Sequence, residues 1–179
     1  MLTVTDSVLL VIDVQEKLFR VMYQKEQLAD KLQRLIKGIQ VLDVPILVTE
    51  QYPQGLGPTI PEIAQLMADV KPYPKVNFSC CGDGAFLQAF KLLRRKQVLI
   101  AGIESHVCVY QTATDLIAAG YEVYVVSDAV SSRTEQNKDT GIKMMLQLGA
   151  KLTGTGAALF ELLKVAKGDN FKAINQIVK

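Results

Sequence analysis

Three side chains in this sequence have the types needed for covalent catalysis: a carboxylate at Asp13, an ammonium at Lys75 and a thiol at Cys108. A nucleophilic cysteine needs a proton acceptor and a positive group to stabilise its thiolate, so these three suffice if the fold brings them together. Asp13 ends the apolar run VLLVID, at the carboxyl end of what reads as a buried strand, where an unpartnered charge is costly. It must be paired structurally or used. Cys108 lies just past the apolar run 97–103, in IESHVCVY. Ser105 is a plausible N-cap there, which puts the thiol in a first helical turn, where free N–H groups and the helix dipole lower a thiol pKa. The alternative is a small buried hydrophobe, the usual condition of a free cysteine. Lys75, in KPYPKVNFS, is by position alone an ordinary solvated lysine. His106, the chain's one histidine, is the rival base. Positions two apart do not share a helix face, so His106 reads as a pocket-edge or capping residue rather than as the activator of Cys108.

The elements that must position these residues are legible from periodicity. Runs 7–14, 45–49, 97–103, 122–127 and 150–153 are continuously apolar rather than alternating, as in strands covered on both faces. Between them, apolar residues recur at helical spacing: Leu28, Leu32, Leu35, Ile36, Ile39 and Leu42; Phe86, Phe90 and Leu93; Ala113, Leu116 and Ile117; Ile142, Met145 and Leu148. Strands alternating with helices predict a three-layer α/β/α arrangement with a mostly parallel central sheet. Segments 159–165 and 171–178 add terminal helical turns, and 50–61 and 70–84 are the two long irregular stretches. Ligands in such sheets bind at the carboxyl ends of strands, so Tyr52, in QYPQGLGP after the second strand, either lines a pocket or belongs to a plain surface loop.

The chain of 179 residues is long enough for one domain, 1–179, with a full core. It is 49% apolar and 21% charged with a net charge of +2, which gives no basis for capture of nucleic acid or a membrane surface. The amino terminus has no basic region and its apolar part is interrupted by Asp13, so a signal peptide is not expected and a cytoplasmic location is. Three cysteines, with Cys80 and Cys81 adjacent, argue against a disulfide scaffold. Those two either pack beneath the segment holding Lys75 or place a second, redox-sensitive thiol near the pocket. No G-x-G-x-x-G follows the first strand, which removes a dinucleotide-binding reading. Asp128, Ser131, Ser132 and Arg133 are expected to form a turn and cap before a helix starting near Thr134, with Arg133 available to a subunit interface.

The segments LLVIDVQ, LVTEQYPQGLG, KVNFS, GIESHVCVYQTATDLIAAGY and VVSDAVSSR resemble, in this order, the isochorismatase-like cysteine hydrolases, a family that includes nicotinamidases and carbamoylsarcosine amidohydrolase. The resemblance implies a Rossmann-like hydrolase fold and a catalytic triad of Asp13, Lys75 and Cys108. It also implies a cis peptide at Ile103–Glu104 and an oxyanion hole from the backbone N–H groups of Glu104 and Cys108. Gln15, Tyr52, Ile103 and His106 would then supply the pocket or its supporting contacts. Nicotinamidases carry an Asp-x-His metal motif after the second strand; here that stretch is Thr49-Glu50-Gln51-Tyr52, so neither a metal nor another cofactor is expected. True isochorismatases lack the cysteine, so Cys108 argues against their reaction. The resemblance implies a small-molecule amide or similar C–N substrate and a homo-oligomer, with the apolar segment 154–163 as a candidate contact. A non-catalytic binding or scaffolding member of the same fold is the alternative.

Overall fold

The computed structural model describes residues 1–179. Six strands form one sheet: β1 (Ser7–Ile12), β2 (Ile46–Gln51), β3 (Tyr73–Lys75), β4 (Gln97–Ile103), β5 (Glu122–Ser131) and β6 (Lys151–Thr153). Their spatial order is β3-β2-β1-β4-β5-β6 and every pairing is parallel. The nine α-helical segments are α1 (Glu16–Phe19), α2 (Lys25–Val41), α3 (Pro53–Leu56), α4 (Pro61–Ala64), α5 (Gly84–Leu92), α6 (Tyr110–Ala118), α7 (Glu135–Gln147), α8 (Thr155–Leu163) and α9 (Asp169–Val178).

The continuous apolarity of the central strands has a direct cause. Leu9 and Val11 of β1 face a core shared with α2, α8 and α9, while Val8, Leu10 and Ile12 face a second core built with α5, α6 and α7. Both faces are covered, so neither set of alternate positions is free to be polar. This is the three-layer α/β/α architecture. Of the apolar residues of 154–163, Ala158, Leu159 and Leu162 of α8 are buried in the first core, while Ala157 and Phe160 are exposed.

Two elements differ from the periodicity. β3 falls inside the stretch 70–84 that reads as irregular, because it has only three residues, one of them Pro74, at the edge of the sheet, where a missing N–H is tolerated. β5 continues to Ser131, so Asp128 and Ser131 are strand residues rather than a turn before the next helix. Thr134 itself caps α7, accepting from Asn137 N at 3.1 Å. Asp128 caps a different helix, its Oδ1 accepting from Thr155 N at 2.8 Å and Thr155 Oγ1 at 3.0 Å.

At the centre, Gly102 of β4 lies opposite Ile12 of β1 with φ +115°. A Cβ there would stand 2.1 Å from the Ile12 carbonyl oxygen. Only glycine lets the two strands approach this closely beside Asp13.

Candidate active site

Asp13, Lys75 and Cys108 converge at the carboxyl edge of the sheet. Asp13 follows β1 with φ +53°, a left-handed conformation that aspartate tolerates better than most residues. Its N–H donates to Thr49 O at 3.1 Å and its carbonyl accepts from Gln15 N at 2.7 Å, which fixes the turn. The carboxylate is fully buried; Oδ2 accepts from Lys75 Nζ at 2.7 Å and Oδ1 from Thr49 Oγ1 at 2.8 Å.

Lys75 ends β3 and is 3% exposed, so the sequence reading of it as solvated by position does not hold. Besides Asp13 its ammonium meets Gln51 Oε1 at 2.7 Å, Phe78 O at 3.0 Å and Asn77 O at 3.2 Å. These four acceptors hold the ammonium in place. Gln15 supports the arrangement from below: its Oε1 accepts from Gln51 N at 2.7 Å, and its Nε2 donates to Gln51 O at 2.9 Å and Gly57 O at 2.7 Å. Thr49 and Gln51 were not singled out in the sequence. They are two apart on β2, hence on one face at the strand's carboxyl end, and that spacing was the available signal.

Cys108 is 6% exposed, and its thiol lies near enough to Asp13 for the carboxylate charge to act on it. It lies in a π-helical turn, Ser105–Val109, in which Val109 N donates to Glu104 O at 3.2 Å. Ser105 is therefore not an N-cap; its Oγ is 2.7 Å from Ser132 Oγ instead. The expected lowering of the thiol pKa is overturned as well. Burial, then the neighbouring Asp13 charge, push the Cys108 thiol well above its ordinary value, and Lys75 offsets this only in part. Asp13 is itself raised by burial, against the lowering effects of Lys75, Thr49 and Cys108. The resting site is a protonated thiol beside an Asp13–Lys75 ion pair. Because a nearby negative charge disfavours thiolate, Asp13→Asn is expected to move the Cys108 titration to lower pH, followed by thiolate absorbance near 240 nm in a variant lacking Cys80 and Cys81. An unchanged or higher midpoint would show that the carboxylate does not act on the thiol.

The other candidate residues divide into two groups. The peptide bond Ile103–Glu104 is cis, and the Glu104 N–H donates to no acceptor in the chain. The Ile103 side chain is buried in the first core, so it does not line a pocket. The Glu104 carboxylate accepts from Arg133 N at 3.3 Å and pairs with Arg133 Nη2 at 3.3 Å, which ties Arg133 within the chain. His106 Nδ1 is 2.9 Å from Ser132 Oγ and makes no hydrogen bond with Asp13, Lys75 or Cys108. Tyr52, with φ +37°, is half exposed; its N–H donates to Lys75 O at 2.8 Å, and with exposed Val76 and Phe78 it flanks the buried lysine. Cys80 is buried beneath Thr49, while Cys81 is half-buried with its N–H on Ser79 Oγ. No group of three or more His, Cys, Asp or Glu side chains is placed to hold a metal ion; Glu50 is turned to Thr59, accepting from its N–H at 2.7 Å and its hydroxyl at 2.8 Å. No helix is long and apolar enough to cross a membrane.

Residues 7–157 match the model of the isochorismatase domain. Isochorismatase domain-containing protein 2 of Danio rerio is 36% identical over 177 residues, covering 99% of this chain and 89% of that protein. A secreted isochorismatase effector of Phytophthora sojae is 38% identical, covering 97% and 84%. Among solved structures, a ribonuclease from Caenorhabditis elegans superposes with a TM-score of 0.93 at 35% identity, covering 99% of this chain and 91% of that one. The YcaC gene product from Escherichia coli, described as an octameric hydrolase of unknown specificity, gives a TM-score of 0.93 at 24% identity, covering 98% and 88%, and shows the shared fold.

Proposed function

The chain belongs to the isochorismatase domain family, and from that premise we propose that it is a metal-independent cysteine hydrolase acting on a small amide or similar C–N bond. The observation that carries the reading is the buried Asp13–Lys75 ion pair, with the Cys108 thiol within reach of the charges of both. Cys108 Sγ attacks the carbonyl carbon while Asp13 takes the thiol proton, and the tetrahedral oxyanion forms beside the backbone N–H groups of Glu104 and Cys108. Collapse breaks the C–N bond, and Asp13 returns the proton to the departing amine. Water then attacks the thioester; Asp13 takes its proton and restores it to the thiolate as the acid leaves. Lys75 keeps Asp13 ionised between proton transfers and faces the developing thiolate with a positive charge. Gln15 holds the β2 end that holds Lys75, and Tyr52, with Val76 and Phe78, offers the substrate an apolar edge.

Three free thiols suit a reducing compartment such as the cytoplasm, and the octameric fold neighbour supports a homo-oligomer here. The ribonuclease name of the nematode neighbour raises RNA as a rival substrate. A lysine buried against a carboxylate and an apolar rim suit a small neutral amide better than a phosphodiester. Screening small amides and ureides against wild type and Cys108→Ala, in the presence of a chelator, is expected to find at least one substrate whose hydrolysis needs the cysteine and no metal. Cleavage of RNA that survives Cys108→Ala, or amide hydrolysis that does, would sink the proposal. No turnover across the panel, with Cys108 unreactive, would favour a non-catalytic member of the fold.

A further inference from the structure

Asp13 has two oxygens, and the mechanism accounts for only one of its fixed partners, Lys75 on Oδ2. Oδ1 is held by Thr49, which is fully buried. Behind Thr49 lies Cys80, also fully buried, with Sγ 3.7 Å from Thr49 Oγ1. Cys80 is fixed in turn by its N–H, which donates to Thr112 Oγ1 at 3.0 Å. The hydroxyl of Thr49 has one proton, and an ionised carboxylate can only accept. That proton points to Asp13, and the thiol of Cys80 donates to the oxygen left behind.

We infer that Thr49 and Cys80 form a positioning chain for the catalytic carboxylate: Cys80 donates to Thr49, Thr49 donates to Asp13 Oδ1, and the chain keeps Asp13 ionised and turned toward Cys108. The inference rests on the triad reading above. Burial and the charge of Asp13 push the Cys80 thiol up to about 12, so it stays a donor across the working pH range. The titratable groups facing Asp13 are Lys75 from β3, Cys108 from the π turn and Cys80 from the short helical turn Cys80–Gly82. Of these, Lys75 is hydrogen-bonded to it. Without the hydroxyl, Oδ1 loses a hydrogen bond that favours the charged form, and Asp13 protonates more readily.

The test follows the rate of Cys108 alkylation by iodoacetamide against pH, by mass mapping, so that no substrate is needed. In the wild type, proton transfer to ionised Asp13 makes the thiolate, so the rate has an acid limb set by Asp13. Thr49→Val, close in shape, is expected to move that limb to higher pH by about one unit, the scale of one hydrogen bond to a charged group. Thr49→Ser keeps the donor and restores the limb. Cys80→Ala moves it the same way by less, and Cys80→Ser restores it. Thermal unfolding of each variant checks that the fold is retained. A limb present in the wild type but unmoved by Thr49→Val, or moved equally by Thr49→Ser, overturns the positioning role and leaves the triad standing. A limb moved by Thr49→Val and not by Cys80→Ala removes Cys80 from the chain. A wild-type profile whose limb coincides with that of Asp13→Asn overturns the triad itself.

Discussion

Lys75→Met is expected to abolish turnover and to destabilise the protein together. The substitution keeps an unbranched side chain one atom shorter and removes the charge that faces Asp13 at 2.7 Å. Breaking one side of a buried ion pair typically costs about 3–5 kcal/mol, because the remaining charge has no compensation. Asp13 escapes part of that penalty by taking up a proton, so the variant's folded state holds a neutral acid that cannot accept the thiol proton. A loss of at least about a thousandfold in kcat/KM follows from removing the base alone. The pH dependence carries a definite sign. The pKa of Asp13 in the folded state is already raised above its value of 3.8 in an unfolded chain, so the folded state binds more protons and stability falls as pH rises from 3.8 to the folded value. Removing Lys75 raises the folded value further and extends the fall to higher pH. Urea unfolding should therefore find Lys75→Met closest to wild type near pH 4 and furthest from it above neutrality. Asp13→Asn added to Lys75→Met should flatten that dependence, since asparagine does not titrate and accepts the positive φ at position 13. A pH-independent deficit in Lys75→Met would mean that Asp13 is not the group left uncompensated.

Gly102→Ala is the second large effect, and it acts through the backbone. A Cβ at this position would lie 2.1 Å from the carbonyl oxygen, 2.7 Å from the nitrogen and 2.8 Å from the carbonyl carbon of Ile12. None of these atoms can rotate away, because Ile12 is paired on both sides, with Thr49 of β2 and Gly102 of β4. The φ of +115° adds a conformation that an L side chain avoids. The loss should exceed about 4 kcal/mol, the range reserved for severe core and backbone conflicts, and the expected observation is an insoluble or unfolded chain. Gly120→Ala separates the two causes. Its φ is +84°, but nothing lies within 4 Å of its Cβ, so only the conformational penalty of about 1–2 kcal/mol applies. Circular dichroism and urea midpoints compare them. Equal losses in the two variants would show that the close approach of β1 and β4 is not what constrains position 102.

The contrast between what the sequence displays and what it hides follows from how local each cause is. Asp13 is readable because a charge ends a run of residues whose apolarity is set by burial on both faces. The helices are readable for the same reason, as with the buried Phe86 and Phe90 of α5, whose spacing directly reports the face turned to the core. β3 is not readable, since three residues with a proline carry no period. The chemistry of Cys108 is misread because a first helical turn is a local argument for a low pKa, while the decisive influences are burial by distant segments and a carboxylate 95 positions earlier in the chain. Thr49 and Gln51 look like ordinary strand residues until the register of β2 against β3 places Gln51 opposite Lys75. Ser105 has the composition of a cap, yet its hydroxyl is taken by Ser132, 27 residues away.

The three-residue strand that delivers Lys75 also divides the molecule by local stability. β3 pairs on one side only, through three residues, and its partner β2 is itself outside the central β1–β4 pair. Regions held by few ladder bonds open at lower free energy than the whole domain. Detaching β3 would withdraw the ammonium from Asp13 while β1, β4 and both cores stay intact. The carboxylate would then protonate and the thiol would lose its proton acceptor. On the proposed mechanism, such an opening would disarm the site and reclosing would rearm it, so the catalytic state would be a subset of the folded state. Asp13 and Lys75 are also 62 residues apart, so their pairing closes a long loop and belongs late in folding. On the same proposal, a folding chain whose edge strand has yet to dock would carry Cys108 without the cation that Lys75 supplies.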